Sequence, residues 1–83
     1  MMTRDADVDA LVTYVVTSLV EHPEEVAIDK QETDALTTYE VTVHPDDVGK
    51  VIGRQGRVVK SLRVLVRAAA SLNGSDATVE VVG

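Results

Sequence analysis

Two glycines set three apart, Gly53 and Gly56, enclose Arg54 and Gln55, and Lys50, Arg57 and Lys60 stand close on either side. Residues of these types hold anions rather than break bonds. Glycine lets the backbone turn sharply and leaves no Cβ to keep a ligand away. The first N–H groups of a helix starting near Gly56 point outward, where an anion is favoured. Arg54, Lys50 and Arg57 add full charges around those amides. A phosphodiester backbone fits this arrangement, with its bases in a groove whose apolar floor would come from Val48, Val51, Ile52 and Val58. Lys60 adds electrostatic support one turn further on.

The charge distribution isolates this stretch. From Val48 to Leu72 there are six bases and no acid, a charge of +6. Residues 1–47 hold twelve acids against two bases, and residues 73–83 hold two acids, so the flanks carry −10 and −2 and the chain −6. An acidic protein thus gathers nearly all its positive charge around one loop. A local cluster of this kind can hold phosphates despite the low overall pI.

Other chemistries fit poorly. The phosphate-binding loop of nucleoside triphosphatases needs Gly-x-x-x-x-Gly-Lys-Ser/Thr, but Lys60-Ser61 follows Val59. Gly49, Gly53 and Gly56 lack the Gly-x-Gly spacing of dinucleotide sites, and no strand leads directly into them. A helix-turn-helix would put the second helix in a DNA groove, yet that helix has no Asn or Gln on its basic face to pair with adenine. His22 and His44 each precede a proline, with no ligand spacing between them, and read as capping or solvent-facing groups. Glu24-Glu25 and Asp46-Asp47 read as solvated charges at element starts. No nucleophile, base and orienting group can be assembled. The expectation is a non-enzyme with no metal and no cofactor.

The elements that must position the loop follow from periodicity. Val8, Leu11, Val12, Val15, Val16, Leu19 and Val20 form a helical stripe. Thr3 is its expected N-cap, Asp5 and Asp7 suit the positive end of the helix dipole, and His22-Pro23 ends it. This stripe is expected to pack on the sheet as core; the alternative is that an edge of it stays exposed, which would suit a dimer contact. Val26 and Ile28 begin a strand running to about Glu32. Thr33-Asp34-Ala35 signals a hairpin whose turn type the residues leave open. Tyr39, Val41 and Val43 alternate with polar neighbours as a second strand, which Pro45 stops. Pro45-Asp46-Asp47 opens a short helix containing Val48, Val51 and Ile52. Gly53–Gly56 breaks it, and a longer helix runs to about Leu72. On a helical wheel Val58, Leu62, Leu65, Val66 and Ala69 fall on one side, with Arg57, Lys60, Arg63 and Arg67 roughly opposite. Asn73-Gly74 is the stop, and Ala77, Val79 and Val81 mark a last strand. The expected fold is α+β, in the order α-β-β-α-α-β, with three helices on one face of a three-stranded sheet.

Bulk properties agree. Eighty-three residues with 45% apolar content make one domain, read as 1–83 with a core of about 4–82, large enough to fold without staples. With no Cys, disulfides and thiolate metal sites are excluded. No apolar run approaches the length of a membrane span and the start is acidic, so the expected location is the cytoplasm, away from membranes. Tyr14 and Tyr39 are the only aromatics, which argues against RNA modules that stack bases on aromatic platforms.

Val51-Ile52-Gly53-Arg54-Gln55-Gly56-Arg57-Val58-Val59 resembles the signature of the KH domain, and the α-β-β-α-α-β order is that of its type II, prokaryotic form. In size the chain most resembles the small bacterial single-KH RNA-binding proteins of the KhpA family, over roughly residues 4–82. The resemblance implies that Gly53 to Gly56 clamp about four nucleotides of single-stranded RNA. It also implies an RNA chaperone or post-transcriptional regulator, a larger KH partner of the KhpB (Jag) type and/or a homodimer, and links to cell shape, envelope and division control. The alternative is an interaction adaptor in those same processes with little direct RNA contact.

Overall fold

The computed structural model describes residues 5–82. The expected N-cap Thr3 lies outside the described residues. Helix α1 (Asp5–Leu19) leads through a tight 3-10 turn at Pro23–Glu25 into strand β1 (Ala27–Glu32). Strand β2 (Thr37–Thr42), helix α2 (Val48–Ile52), helix α3 (Arg57–Ser71) and strand β3 (Ala77–Val82) follow. A 3-10 turn at Pro45–Asp47 opens α2, and the order is the α-β-β-α-α-β expected above.

The sheet runs β1-β2-β3 and is mixed. β1 pairs antiparallel with β2, with Ile28 opposite Val41, and β2 pairs parallel with β3, with Tyr39 opposite Val79. Thr33 decides the hairpin turn that the residues left open. Its hydroxyl accepts from the N–H of Leu36 at 3.0 Å, and its own N–H donates to the Leu36 carbonyl at 2.9 Å. A parallel pair cannot be joined by a tight turn, so the β2–β3 connection must be long, and it carries α2 and α3 across the sheet.

The core lies between sheet and helices. Val8, Val12 and Val16 of α1, Tyr39 and Val41 of β2, and Val79 of β3 meet Leu62 and Val66 of α3. Alternation along β2 and β3 puts these residues on the covered face and leaves Glu40, Glu80 and Thr42 on the other. The valine-rich α1 has weak intrinsic propensity, and burial of its valine stripe against the core offsets that.

Helix α3 corrects one expectation. Its buried residues are Val59, Leu62, Val66 and Ala70, while Leu65 is 51% exposed. The buried face is therefore turned about 60° from the wheel expected, at ~100° per residue. α3 packs chiefly on β3, and the compact Val59 and Ala70 fit that close approach; Val58 and Leu65 are left on the α1 side. Both faces were apolar in sequence, and only contact with β3 selects between them.

Tyr39 is almost fully buried, and its hydroxyl donates to Asp9 Oδ1 of α1 at 2.6 Å. Lys30 reaches the same carboxylate at 3.2 Å and Glu32 at 3.1 Å, and lies 5.8 Å over the Tyr39 ring. Burial lowers the Lys30 pKa, but the Glu32 and Asp9 carboxylates outweigh it and hold the ammonium above its usual value. This contact fixes α1 on the hairpin. Tyr39→Phe is expected to lower stability by about 1 kcal/mol while leaving the sheet intact, as read by urea melts and far-ultraviolet dichroism.

Candidate nucleic-acid interface

The loop begins from an anchor. Asp47 is fully buried, and its carboxylate accepts the backbone N–H of Glu21 at 3.1 Å and of His22 at 3.0 Å. Lys50 Nζ adds a contact at 3.5 Å. Burial pushes the Asp47 pKa up, but those two N–H groups, with the His22 ring and Lys50, outweigh it and hold the carboxyl below its ordinary value. The expectation of a solvated Asp47 is therefore corrected. A turn 25 residues upstream in sequence folds over it, and nothing local distinguishes it from its exposed neighbour Asp46. His44, by contrast, caps as expected: Nδ1 accepts the Asp46 N–H at 3.0 Å.

With its start tied down, α2 carries the chain to Gly53. This residue has φ +78° and ψ 171°, where side chains are hardly tolerated, and a Cβ there would come within 2.4 Å of Val58 Cγ2. Gln55 (φ +57°) and Gly56 (φ +73°) follow in the left-handed region. The Gly56 N–H donates to the Gly53 carbonyl at 3.1 Å, closing the turn. No side chain caps the start of α3, and its first turn contains no acid. Its leading amides carry the partial positive charge of the helix end.

The cations divide into two groups. Lys50 pairs with Glu21 at 3.3 Å and with Asp47. Burial lowers its pKa, yet Glu21 and Asp47 raise it more, so the ammonium is held charged but occupied. Arg67 Nε meets Asp76 at 3.4 Å, and Arg63 Nε donates to the Val79 carbonyl on the outer edge of β3 at 2.8 Å. Arg54, Arg57 and Lys60 are exposed and, among the described residues, pair with no carboxylate. Arg57 Nη2 donates to Gln55 Oε1 at 3.2 Å, which holds the guanidinium beside the loop. Three positive charges without a carboxylate partner among the described residues therefore stand around three backbone positions of positive φ.

The expected apolar floor is only partly at the surface. Val51 is 0% exposed and belongs to the core, so it supports α2 from below and does not face a ligand; that assignment is corrected. Val48 and Ile52 are half-buried. Val58 is half-buried too, wedged under Gly53 and lining an apolar groove of about 300 Å³ with Val15, Leu19 and Leu65 on the α1 side. A larger cleft of about 770 Å³ runs between α3 and β3, where Leu36, Val64, Ala68 and Ala77 lie with Arg63 and Arg67. Lys60 projects on the same side of α3 as Val64 and Arg67, about one turn nearer the loop, while Arg57 lines the α1-side groove with Val58. Sequence reasoning marked Arg63 and Arg67 as basic but did not place them on a cleft, because the second wall comes from β3 and from Leu36.

Comparison with known proteins agrees with this architecture. The family model described as KhpA/KhpB, KH domain, matches residues 9–81. The chain is 52% identical over 60 residues to the RNA-binding protein KhpA of Oceanobacillus iheyensis, covering 72% of this chain and 80% of that one. To the protein of the same name in Listeria monocytogenes it is 42% identical over 74 residues, covering 89% and 97%. To that of Bacillus subtilis it is 36% identical over 77 residues, covering 93% and 95%. These relatives are named for binding RNA, not for a reaction.

Proposed function

The chain belongs to the KhpA/KhpB family of KH domains, and from that premise we propose that it is a cytoplasmic single-stranded RNA-binding protein, a single KH domain whose Gly53–Gly56 loop clamps the RNA backbone. The observation that carries this reading is the loop itself: three residues with positive φ, an uncapped helix start and three cations, Arg54, Arg57 and Lys60, that pair with no carboxylate among the described residues. Phosphate oxygens accept from the leading amides of α3 while the cations neutralise them. Lys50, already paired with Glu21 and Asp47, contributes field rather than a direct contact. The bases lie along the α3–β3 cleft, with Val64 and Ala68 as apolar surface and Arg63 and Arg67 at its rim; Val48, Ile52 and Val58 border the loop.

One site of about four nucleotides binds weakly, so useful affinity needs a second site. Val58 and Leu65 lie seven residues apart on α3 beside Val15 and Leu19 of α1, Leu72 follows seven further on at the end of the helix, and Leu65 and Leu72 are more than half exposed. That stripe favours association with a second copy or a KhpB-type partner, in a chaperone or post-transcriptional role. It equally suits an adaptor in envelope or division control with little RNA contact.

Titrating the protein with a short unstructured RNA across a salt series separates the two. Three to five phosphate contacts predict a slope of log K against log salt of about −2 to −3.5. The double variant Arg54→Asp, Gln55→Asp should bind at least about tenfold more weakly with an unchanged melting temperature. Absence of salt-dependent binding at low salt, alone or with a partner present, would leave the adaptor.

A further inference from the structure

The fold brings together three metal-ligating side chains that are far apart in sequence. His22 follows α1, Glu25 ends the 3-10 turn beyond it, and His44 follows β2. One ligand atom from each lies within 4.8 Å of the other two. We propose that His22, Glu25 and His44 form a binding site for a borderline divalent transition ion of the Zn²⁺ class.

Three observations support this. The first is the donor set: two imidazoles and one carboxylate suit zinc and its neighbours, whereas magnesium and calcium take oxygen ligands. Such a set leaves coordination positions open for water.

The second is that each ring has a carboxylate at its far nitrogen. Nδ1 of His22 lies 3.7 Å from Glu24 Oε1, and Nδ1 of His44 lies 3.7 Å from Asp46 Oδ2. Histidines that bind a metal through one nitrogen commonly donate from the other to a carboxylate, which fixes the tautomer. Glu25 Oε2 stands 3.6 Å from Nε2 of His44, on the side where the ion would sit.

The third is that both backbones are fixed. Each histidine precedes a proline, which restricts its conformation. Buried Asp47 accepts the His22 N–H and lies three residues after His44, so one carboxylate ties the two ligand-bearing segments together.

Binding requires two local changes. The rings stack at 4.1 Å between centroids and 23° between planes, so they face each other and do not converge on one point. The rings must rotate about their side-chain bonds until both point at the ion. His44 Nδ1 now accepts the Asp46 N–H, which puts the ring proton on Nε2. Coordination through Nε2 moves that proton to Nδ1; the exposed Asp46 N–H then turns to water, and the ring rotation brings Nδ1–H to the Asp46 carboxylate, now 3.7 Å away, which accepts it. The ion then joins the end of α1 to the turn that opens α2.

Zinc titration of the untagged protein by calorimetry at neutral pH tests this, with Co²⁺ absorbance as a second probe. The expected result is saturation at one equivalent, with affinity at least about tenfold lower in each of Glu25→Gln, His22→Asn and His44→Asn. Asparagine at position 44 keeps an oxygen to cap the Asp46 N–H, and Glu25 is exposed, so these variants retain the fold. No saturable uptake, or uptake that survives any one substitution undiminished, overturns the site.

Discussion

Gly53→Ala will lower the stability of the domain by about 2–4 kcal/mol, whereas Gly56→Ala will lower it by only about 1–2 kcal/mol. Both glycines have positive φ, but their surroundings differ. A Cβ at Gly53 would come within 2.4 Å of Val58 Cγ2 and 2.9 Å of the Val58 backbone nitrogen, and the nitrogen cannot swing away. At Gly56 the nearest atom is the flexible end of Lys60 at 3.8 Å, so only the backbone strain is felt. Urea melts of the two variants measure the difference directly. Equal stabilities would mean that the loop does not turn back onto Val58 as described. The same geometry governs how the loop should be probed for RNA binding. A charge at Gly53 would disturb the fold and the ligand surface together, while Arg54 and Gln55 are exposed and report on the surface alone.

Asp47→Ala will lower the melting temperature by on the order of 10 °C, a large effect for an aspartate that looks unremarkable in sequence. The substitution takes the acceptor from the half-buried N–H groups of Glu21 and His22, removes one of the two carboxylates that hold Lys50, and leaves a cavity where Asp47 was fully buried. Asp47→Asn keeps one acceptor oxygen and should fall between. The pH profile gives an independent check. The folded-state pKa of Asp47 lies below the ordinary 3.8, so its contribution is fully present above that value and is lost as pH falls through the depressed one. Wild-type protein should therefore lose stability more steeply below about pH 4 than Asp47→Ala, which has already lost the contribution. Parallel acid limbs would show that Asp47 is no anchor.

What the sequence conveyed well was local. Alternation at Tyr39, Val41 and Val43, the valine stripe of α1, and the two prolines each act within a few residues, and the elements formed close to where those signals lie. The loop was legible for the same reason, since Gly-x-x-Gly between two helices specifies its own turn. What escaped was decided at long range. Asp47 is buried by a turn 25 residues before it, and α3 chose between two apolar faces only on meeting β3. Val51 looked like Val48 and Ile52 on α2, yet it alone of the three faces directly into the core. The cleft beside Arg63 and Arg67 needed a wall from each side of the chain, and His22 came to stack on His44 only through tertiary contact. Lys50, counted as free charge from sequence, had acids waiting at Glu21 and Asp47.

The parallel pairing of β2 with β3 has a consequence for assembly. Thr37 and Ala77 are partners 40 positions apart, and the connection from the end of β2 to Ala77 holds α2, the loop and α3. Closing so long a span is slow relative to forming the β1–β2 hairpin, because the chain entropy is spent before the contacts are gained. On a ribosome the loop and all its cations emerge before β3 exists. At that stage Arg63 has no Val79 carbonyl to hold, and the cleft lacks the wall supplied by Ala77 and Thr78. A nascent chain stalled before Ala77 would present a charged helix with no groove beside it. Competence to grip a strand along that groove thus arrives in one late step of biosynthesis, not by degrees as the chain lengthens.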